Sequence, residues 1–355
     1  MNRRDLIRNC TLGLTLQALP TRAAVHATPV LPRQYALLPW QHEGTALRLA
    51  LTRQPGAGDA VLYVHGATFP AALAVGWKID GVSWMDNLQH AGLDAWAMDF
   101  AGYGGSDRPA VFEQEAGSAP AFGTHEVAAQ QIAAVLQHIR RERPGVPIHV
   151  IAHSWGTLPA RQVAIDHPAL VSRLVLFGPV ATREGPADPS PRPAWTLIDA
   201  AQQRPRQRSG LPADAPTPVS PAALERWCDA YLDSDPTSGR RAPRSVKVPN
   251  GPAADMARLW AGETLVEAGR IRQPTLIVRG EWDHVTTDAD ARRLFEALRS
   301  TQDKRDVKIS GGNHWLHLQP RRVALWSETL GFLRGTAPGA NAAERPSIRP
   351  PWTAA

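Results

Sequence analysis

Residues 148–156 restrict the folding of this chain more than any other stretch. The apolar run Ile148-His149-Val150-Ile151 leads directly into Ala152-His153-Ser154-Trp155-Gly156, and a helix-like segment over residues 156–167 follows at once. That order is strand, tight turn, helix. A serine at such a turn sits in a strained backbone conformation that lifts its hydroxyl clear of the sheet. Ala152 and Gly156, two places to either side, are small enough for strand and helix to approach closely.

The same kind of strand recurs. Ala60-Val61-Leu62-Tyr63-Val64, Ala95-Trp96-Ala97-Met98, Leu174-Val175-Leu176-Phe177 and Thr275-Leu276-Ile277-Val278 are short and apolar throughout. Such runs belong to a parallel sheet buried on both faces. Between them, Val127, Ile132, Val135, Leu136 and Ile139 fall at helical spacing over residues 125–141, and further helices are expected at 84–91, 288–298 and 322–333. Less apolar strands are expected at 35–38, 46–52 and 306–309. Strands alternating with helices predict an α/β fold, a doubly wound and mostly parallel sheet.

Residues 181–269 break the alternation. Prolines are dense, short helical pieces fall at 222–232 and 254–260, and no buried strand is evident. We expect a helical lid inserted between two parts of one core, residues 28–180 and 270–335. Trp195, Trp227 and Trp260 argue that this insertion packs rather than hangs loose. The Pro- and Ala-rich residues 336–355 are expected to form a mobile tail.

A chain of 355 residues, 43% hydrophobic and 20% charged, has the composition of a soluble globular protein. The net charge of +6 raises nucleic acid as a partner. The arginines are scattered in pairs without an aromatic-interleaved stripe, so no such partner is expected. Residues 1–27 join a basic start, with Arg3-Arg4, to a short apolar middle and the ending Ala23-Ala24-Val25-His26-Ala27. This is the pattern of an export signal of the twin-arginine kind, which predicts a periplasmic or secreted protein. The apolar stretch is too short to span a bilayer. Removing it takes away Cys10 and leaves Cys228, read as a packed helix residue, so neither an intramolecular disulfide nor a Cys-based metal site is expected. The histidines show no metal-ligand spacing, and the loop Gly102-Tyr103-Gly104-Gly105 lacks the Lys-Ser/Thr of a phosphate cradle. No cofactor is implied, and nothing specifies an oligomeric state.

A serine hydroxyl needs a base, and the base needs a third group to orient it. Asp283, in Gly280-Glu281-Trp282-Asp283, stands just past one buried strand, and His314, in Gly311-Gly312-Asn313-His314, just past the last strand. Strand ends form the rim on which open α/β sheets carry their sites. Glu281 and His317 are the second choices for acid and base. His65 is read as structuring its turn, His153 as a wall residue, and Asp99 and Asp107 as loop hydrogen-bond acceptors.

With His65-Gly66-Ala67-Thr68 and Asp99-Phe100-Ala101-Gly102-Tyr103-Gly104-Gly105-Ser106, these motifs occur in the order Ser, acid, His. Over roughly residues 35–333 the chain resembles the α/β-hydrolase superfamily, departing from it at Ala152, where the elbow usually has glycine. The resemblance implies catalysis by Ser154, His314 and Asp283, with an oxyanion hole from the N–H groups of Ala67 and Trp155. Thr68, His153, Trp282 and Trp315 are the candidate pocket residues, for a small-molecule substrate. A serine at the elbow argues against epoxide or haloalkane hydrolysis and for a carboxylic ester, lactone or thioester. The lidded Ser-Trp-Gly layout also resembles proline iminopeptidases, so amide hydrolysis is the nearest alternative. C–C bond hydrolysis and a non-catalytic ligand-binding role remain open.

Overall fold

The structure is a computed structural model that describes residues 31–188 and 190–335. The expected export signal and C-terminal tail lie outside the described residues. The chain opens with a hairpin of β1 (Gln34–His42) and β2 (Thr45–Gln54). Glu43 and Gly44 both have positive φ in its two-residue turn, the conformation whose twist matches that of paired strands. Then follow β3 (Ala60–Val64), α1 (Trp84–His90), β4 (Asp94–Met98), α2 (His125–Glu142), β5 (Ile148–His153), α3 (Thr157–Asp166) and β6 (Arg173–Phe177). The apolar runs read as strands are β3 to β6 and, later, β9; β3, β4, β5 and β9 are buried at every residue.

Between β6 and β9 lie β7 (Trp195–Asp199), α4 (Ala200–Arg208), α5 (Pro221–Asp233), β8 (Ser245–Pro249) and α6 (Gly251–Trp260). The expectation of a wholly helical insertion needs correcting, because β7 and β8 pair as an antiparallel ribbon. Pro249 ends β8; both strands of a lone ribbon are edges, where proline is tolerated. The sequence hid α4 as well, since it has no apolar stripe and contains Pro205. Its start is fixed by reciprocal hydrogen bonds between Asp199 and Gln202.

The chain then returns through β9 (Thr275–Gly280), α7 (Asp288–Ala297), β10 (Lys304–Ile309) and α8 (Arg322–Leu333). The eight-stranded sheet has the order β1-β2-β4-β3-β5-β6-β9-β10. Every pair from β4 to β10 is parallel, and β2 joins β4 antiparallel. Helices cover the sheet in two groups, with α1 against α8 and α2 against α3. The inserted segment is not a separate body: Trp227, Tyr231, Val246 and Val248 join the same buried core as the sheet. Chain order reverses at β3, which has β4 on one side and β5 on the other. A crevice opens at the carboxyl ends of strands flanking such a reversal. Among the described residues, no helix is long and apolar enough to cross a membrane.

Candidate active site

The elbow begins where β5 ends. Ser154 holds φ at +55°, and a single 3-10 turn, Ser154–Gly156, leads into α3. Close packing permits this only with glycines on both sides of the serine. A Cβ on Gly156 would lie 2.3 Å from the carbonyl oxygen of His65, and one on Gly66 would lie 2.9 Å from Ser154 Cβ. The β3 loop therefore lies directly against the serine. Trp155 is the second residue of the 3-10 turn, so its N–H is one of the donors that a helix start leaves unmatched. Among the described residues, the Ala67 N–H finds no backbone acceptor either.

Three side chains from three strand ends meet here. His314 Nε2 lies 2.8 Å from Ser154 Oγ, and His314 Nδ1 lies 2.8 Å from Asp283 Oδ2. Asp283 is fixed in turn by its own loop. Its Oδ1 accepts from the N–H groups of Val285 at 3.0 Å and Thr286 at 2.8 Å, and its Oδ2 accepts from Thr286 Oγ1 at 2.7 Å. Burial pushes this carboxyl up, but His314 and the Thr286 donors outweigh burial and hold it below its ordinary range. The site thus keeps an ionised acid under an imidazole whose other nitrogen faces the serine. Gly178, just past β6, makes the room, because a Cβ there would sit 3.1 Å from Asp283 Oδ2 and 3.2 Å from His314 Nδ1.

The second-choice residues are engaged elsewhere. Glu281 accepts from the Gly311 N–H at the surface. His65 is a neutral strut: its Nδ1 lies 2.7 Å from the Gly66 carbonyl, which can only accept, and its Nε2 accepts from the Phe100 N–H at 3.1 Å. Asp99 accepts from the N–H groups of Ala71 and Gly105, and Asp107 pairs with Arg48. His153 stacks on Phe177 with centroids 4.4 Å apart, and its Nε2 lies 3.2 Å from the His314 carbonyl. That contact puts the proton on Nε2. His317 is buried beside it, and neither of its ring nitrogens has a partner among the described residues.

A cavity of about 510 Å³ opens over Ser154 and His314. Ala67, Thr68, His153, Trp155 and Trp315 line it, but Trp282 does not. The assignment of Trp282 to the pocket is corrected on this point. Its N–H is tied to the Gly312 carbonyl, and its ring edge rests by Gly311. The opposite wall comes from α6, whose Ala253, Met256, Ala257 and Trp260 recur at helical spacing and face the cavity.

Several contributors carried little sequence signal. Phe69, stacked on Trp315 at 4.9 Å, is one. Thr286 is another, although an Asp followed by main-chain donors two and three residues on is a recognisable turn pattern. Asp255, on α6, is the least foreseeable: it is fully buried and accepts from Trp155 Nε1 at 2.9 Å and from the His125 N–H at 2.7 Å. His125, Glu126 and Asp255 also form the one group among the described residues with metal-ligand atoms within 4.8 Å of one another. Its Asp255 oxygens are already committed to His125 and Trp155.

Residues 59–320 match the family model of the alpha/beta hydrolase fold. The chain is 25% identical to the Epoxide hydrolase A of Mycobacterium tuberculosis over 336 residues, 82% of this chain and 95% of that protein. Among solved structures, the bromoperoxidase from Bacillus anthracis superposes with a TM-score of 0.59 at 15% identity, covering 85% of this chain and 100% of that one. Epoxide hydrolase I of potato (Solanum tuberosum) gives 0.58 at 16%, covering 86% and 100%. The thioesterase domain from the curacin biosynthetic pathway gives 0.54 at 18%, covering 84% and 99%.

Proposed function

This chain belongs to the α/β-hydrolase fold family, and from that premise we propose that it is a serine hydrolase of carboxylic ester, lactone or thioester bonds. The observation that carries the reading is the unbroken hydrogen-bond chain from Ser154 Oγ through His314 to Asp283 at the floor of a largely apolar cavity. Ser154 attacks the carbonyl carbon while His314 Nε2 takes its proton. Asp283 fixes the imidazole with Nδ1 protonated and stabilises the cation that forms. The N–H groups of Ala67 and Trp155 receive the oxyanion, each such donor being worth roughly 3 kcal/mol of barrier. His314 then protonates the leaving alcohol or thiol, and water activated by the same imidazole cleaves the acyl-enzyme.

Kinship with proteins named as epoxide hydrolases raises epoxide opening as a second reading. A serine nucleophile favours the ester. Attack of Ser154 Oγ on an epoxide carbon leaves an ether, which has no carbonyl at which water can displace the enzyme. An ester leaves an acyl-enzyme, which has one.

The test pairs p-nitrophenyl esters of graded chain length with styrene oxide, on wild type, Ser154→Ala and Asp283→Asn. Ester hydrolysis should fall by about 10³-fold or more in both variants, with no diol from the epoxide. Diol formation that survives Ser154→Ala would overturn the reading. The signal-like residues 1–27 support a periplasmic or secreted site of action. Amino-terminal sequencing of periplasmic protein should then start after Ala27, and full-length cytoplasmic protein with Met1 retained would refute it.

A further inference from the structure

The cavity over Ser154 is not purely apolar. Beside Phe69, Met256, Trp260 and Trp315, two arginines line it, Arg192 and Arg206, and among the described residues no Asp or Glu does. Asp283 lies behind His314 and is spent on it. Both arginines come from the inserted segment, Arg192 just before β7 and Arg206 in the last turn of α4.

Neither guanidinium is used up by the fold. Arg192 pairs through one terminal nitrogen with Asp188, an exposed carboxylate that does not line the cavity. Its Nε is buried and has no acceptor among the described residues. A buried N–H without an acceptor is costly, and native structures avoid it unless something else supplies the acceptor. Arg206 is exposed, and its guanidinium makes no hydrogen bond or ion pair among the described residues. The contrast on the same helix is informative, because Arg204 forms a two-pronged pair with Glu225 of α5. Arg204 thus ties α4 to α5, while Arg206 is left to face the cavity.

We propose that the substrate is an anion, a small ester whose carboxylate, sulfate or phosphate group, remote from the scissile bond, is held by Arg192 and Arg206. Planar guanidiniums with uncommitted donors match such oxygens in geometry and charge. The Trp-lined wall takes the apolar body that joins the anionic end to the reacting carbonyl. A cavity of about 510 Å³ is large enough for both ends of one small molecule. This inference rests on the serine-hydrolase reading, since it identifies the substrate class of the same site.

The experiment compares p-nitrophenyl hexanoate with the mono-p-nitrophenyl ester of adipic acid, which matches it in length and adds a terminal carboxylate. The readout is the ratio of their kcat/KM values in wild type, Arg206→Gln, the Arg192→Gln/Arg206→Gln double variant and an Arg208→Gln control. Wild type should favour the anionic ester by about tenfold or more, and the double variant should bring the ratio near one. Arg208, exposed like Arg206 on the same helix but absent from the cavity lining, should leave the ratio unchanged. A second arm follows the tryptophan fluorescence of Ser154→Ala titrated with phenylbutyrate and with phenylbutyramide. Esters cleaved with no charge preference, and equal binding of acid and amide, overturn the anion proposal while the hydrolase reading stands. No cleavage of either ester, with arginine-dependent preference for phenylbutyrate, keeps the anion site and removes the hydrolase.

Discussion

Ser154 is a non-glycine residue at positive φ, a conformation that costs an L-residue roughly 1–2 kcal/mol. Its neighbours repay that cost by leaving no other arrangement. Gly156 is the critical one, since a methyl there meets main-chain atoms of the β3 loop rather than a side chain that can swing away. Gly156→Ala should therefore push the elbow off the loop that carries Ala67. We expect a loss of about 2–3 kcal/mol in urea unfolding, with a much larger fall in ester turnover than stability explains, because small displacements of a nucleophile are costly. A variant with wild-type turnover would show that the elbow tolerates the shift. Ala152 illustrates the opposite case. It is fully buried in β5, paired with Val64 and Leu176, and its Cβ is accommodated there. The departure from the usual glycine changes nothing in the turn itself.

Elements were legible in proportion to how far their own residues decide them. The buried strands and the helices α1, α2, α7 and α8 announce themselves through apolar runs or helical spacing, and α8 begins and ends at the expected residues. Ser154, Asp283 and His314 were legible because strand ends place them on one rim. The ribbon β7–β8, the polar helix α4 and the direction of Trp282 were not, because each is set by what the segment packs against. Asp255 shows why. It joins α6 of the inserted segment to the start of α2 and to Trp155 beside the serine, through residues 130 and 100 positions away. Asp255→Ala would strand two donors in the interior, His125 N–H and Trp155 Nε1, and leave His125 Nδ1 only Glu126 Oε2 at 3.1 Å. We expect a loss of about 3 kcal/mol by urea unfolding and a lower kcat as α6 and Trp155 lose their tie. Trp155→Phe removes one donor alone and should cost about 1 kcal/mol. Equal midpoints for Asp255→Ala and wild type would show that the tie carries no stability.

At the scale of the whole molecule, the buried titratable groups tie stability to pH. Burial pushes His65 down to about 4 and His317 down to about 3. It also drives His153 well below 6.5, helped by the neighbouring His317 and His314. Burial acts on Asp99 in the other direction, raising it to about 6 against the pull of the Gly105 and Ala71 N–H groups. As pH falls below 6.5, the unfolded chain protonates three histidines that the folded chain keeps neutral, so their stabilisation is full above 6.5 and drains away towards about 4. Asp99 opposes this. Between about 4 and 6 the folded carboxyl keeps a proton that the unfolded one has lost, so its contribution grows as pH falls. Near pH 5 the four groups together make unfolding take up about two protons, a loss of about 3 kcal/mol per pH unit. Urea midpoints should thus fall steeply from about pH 7 to about pH 5, and a flat profile would sink the argument. His317→Phe offers the sharper check. Among the described residues both nitrogens of His317 lack partners, and its ring lies parallel to Phe69, so a phenyl ring replaces it without stranding any hydrogen bond. That variant should flatten the profile by about one proton while leaving the midpoint above pH 7 close to that of wild type.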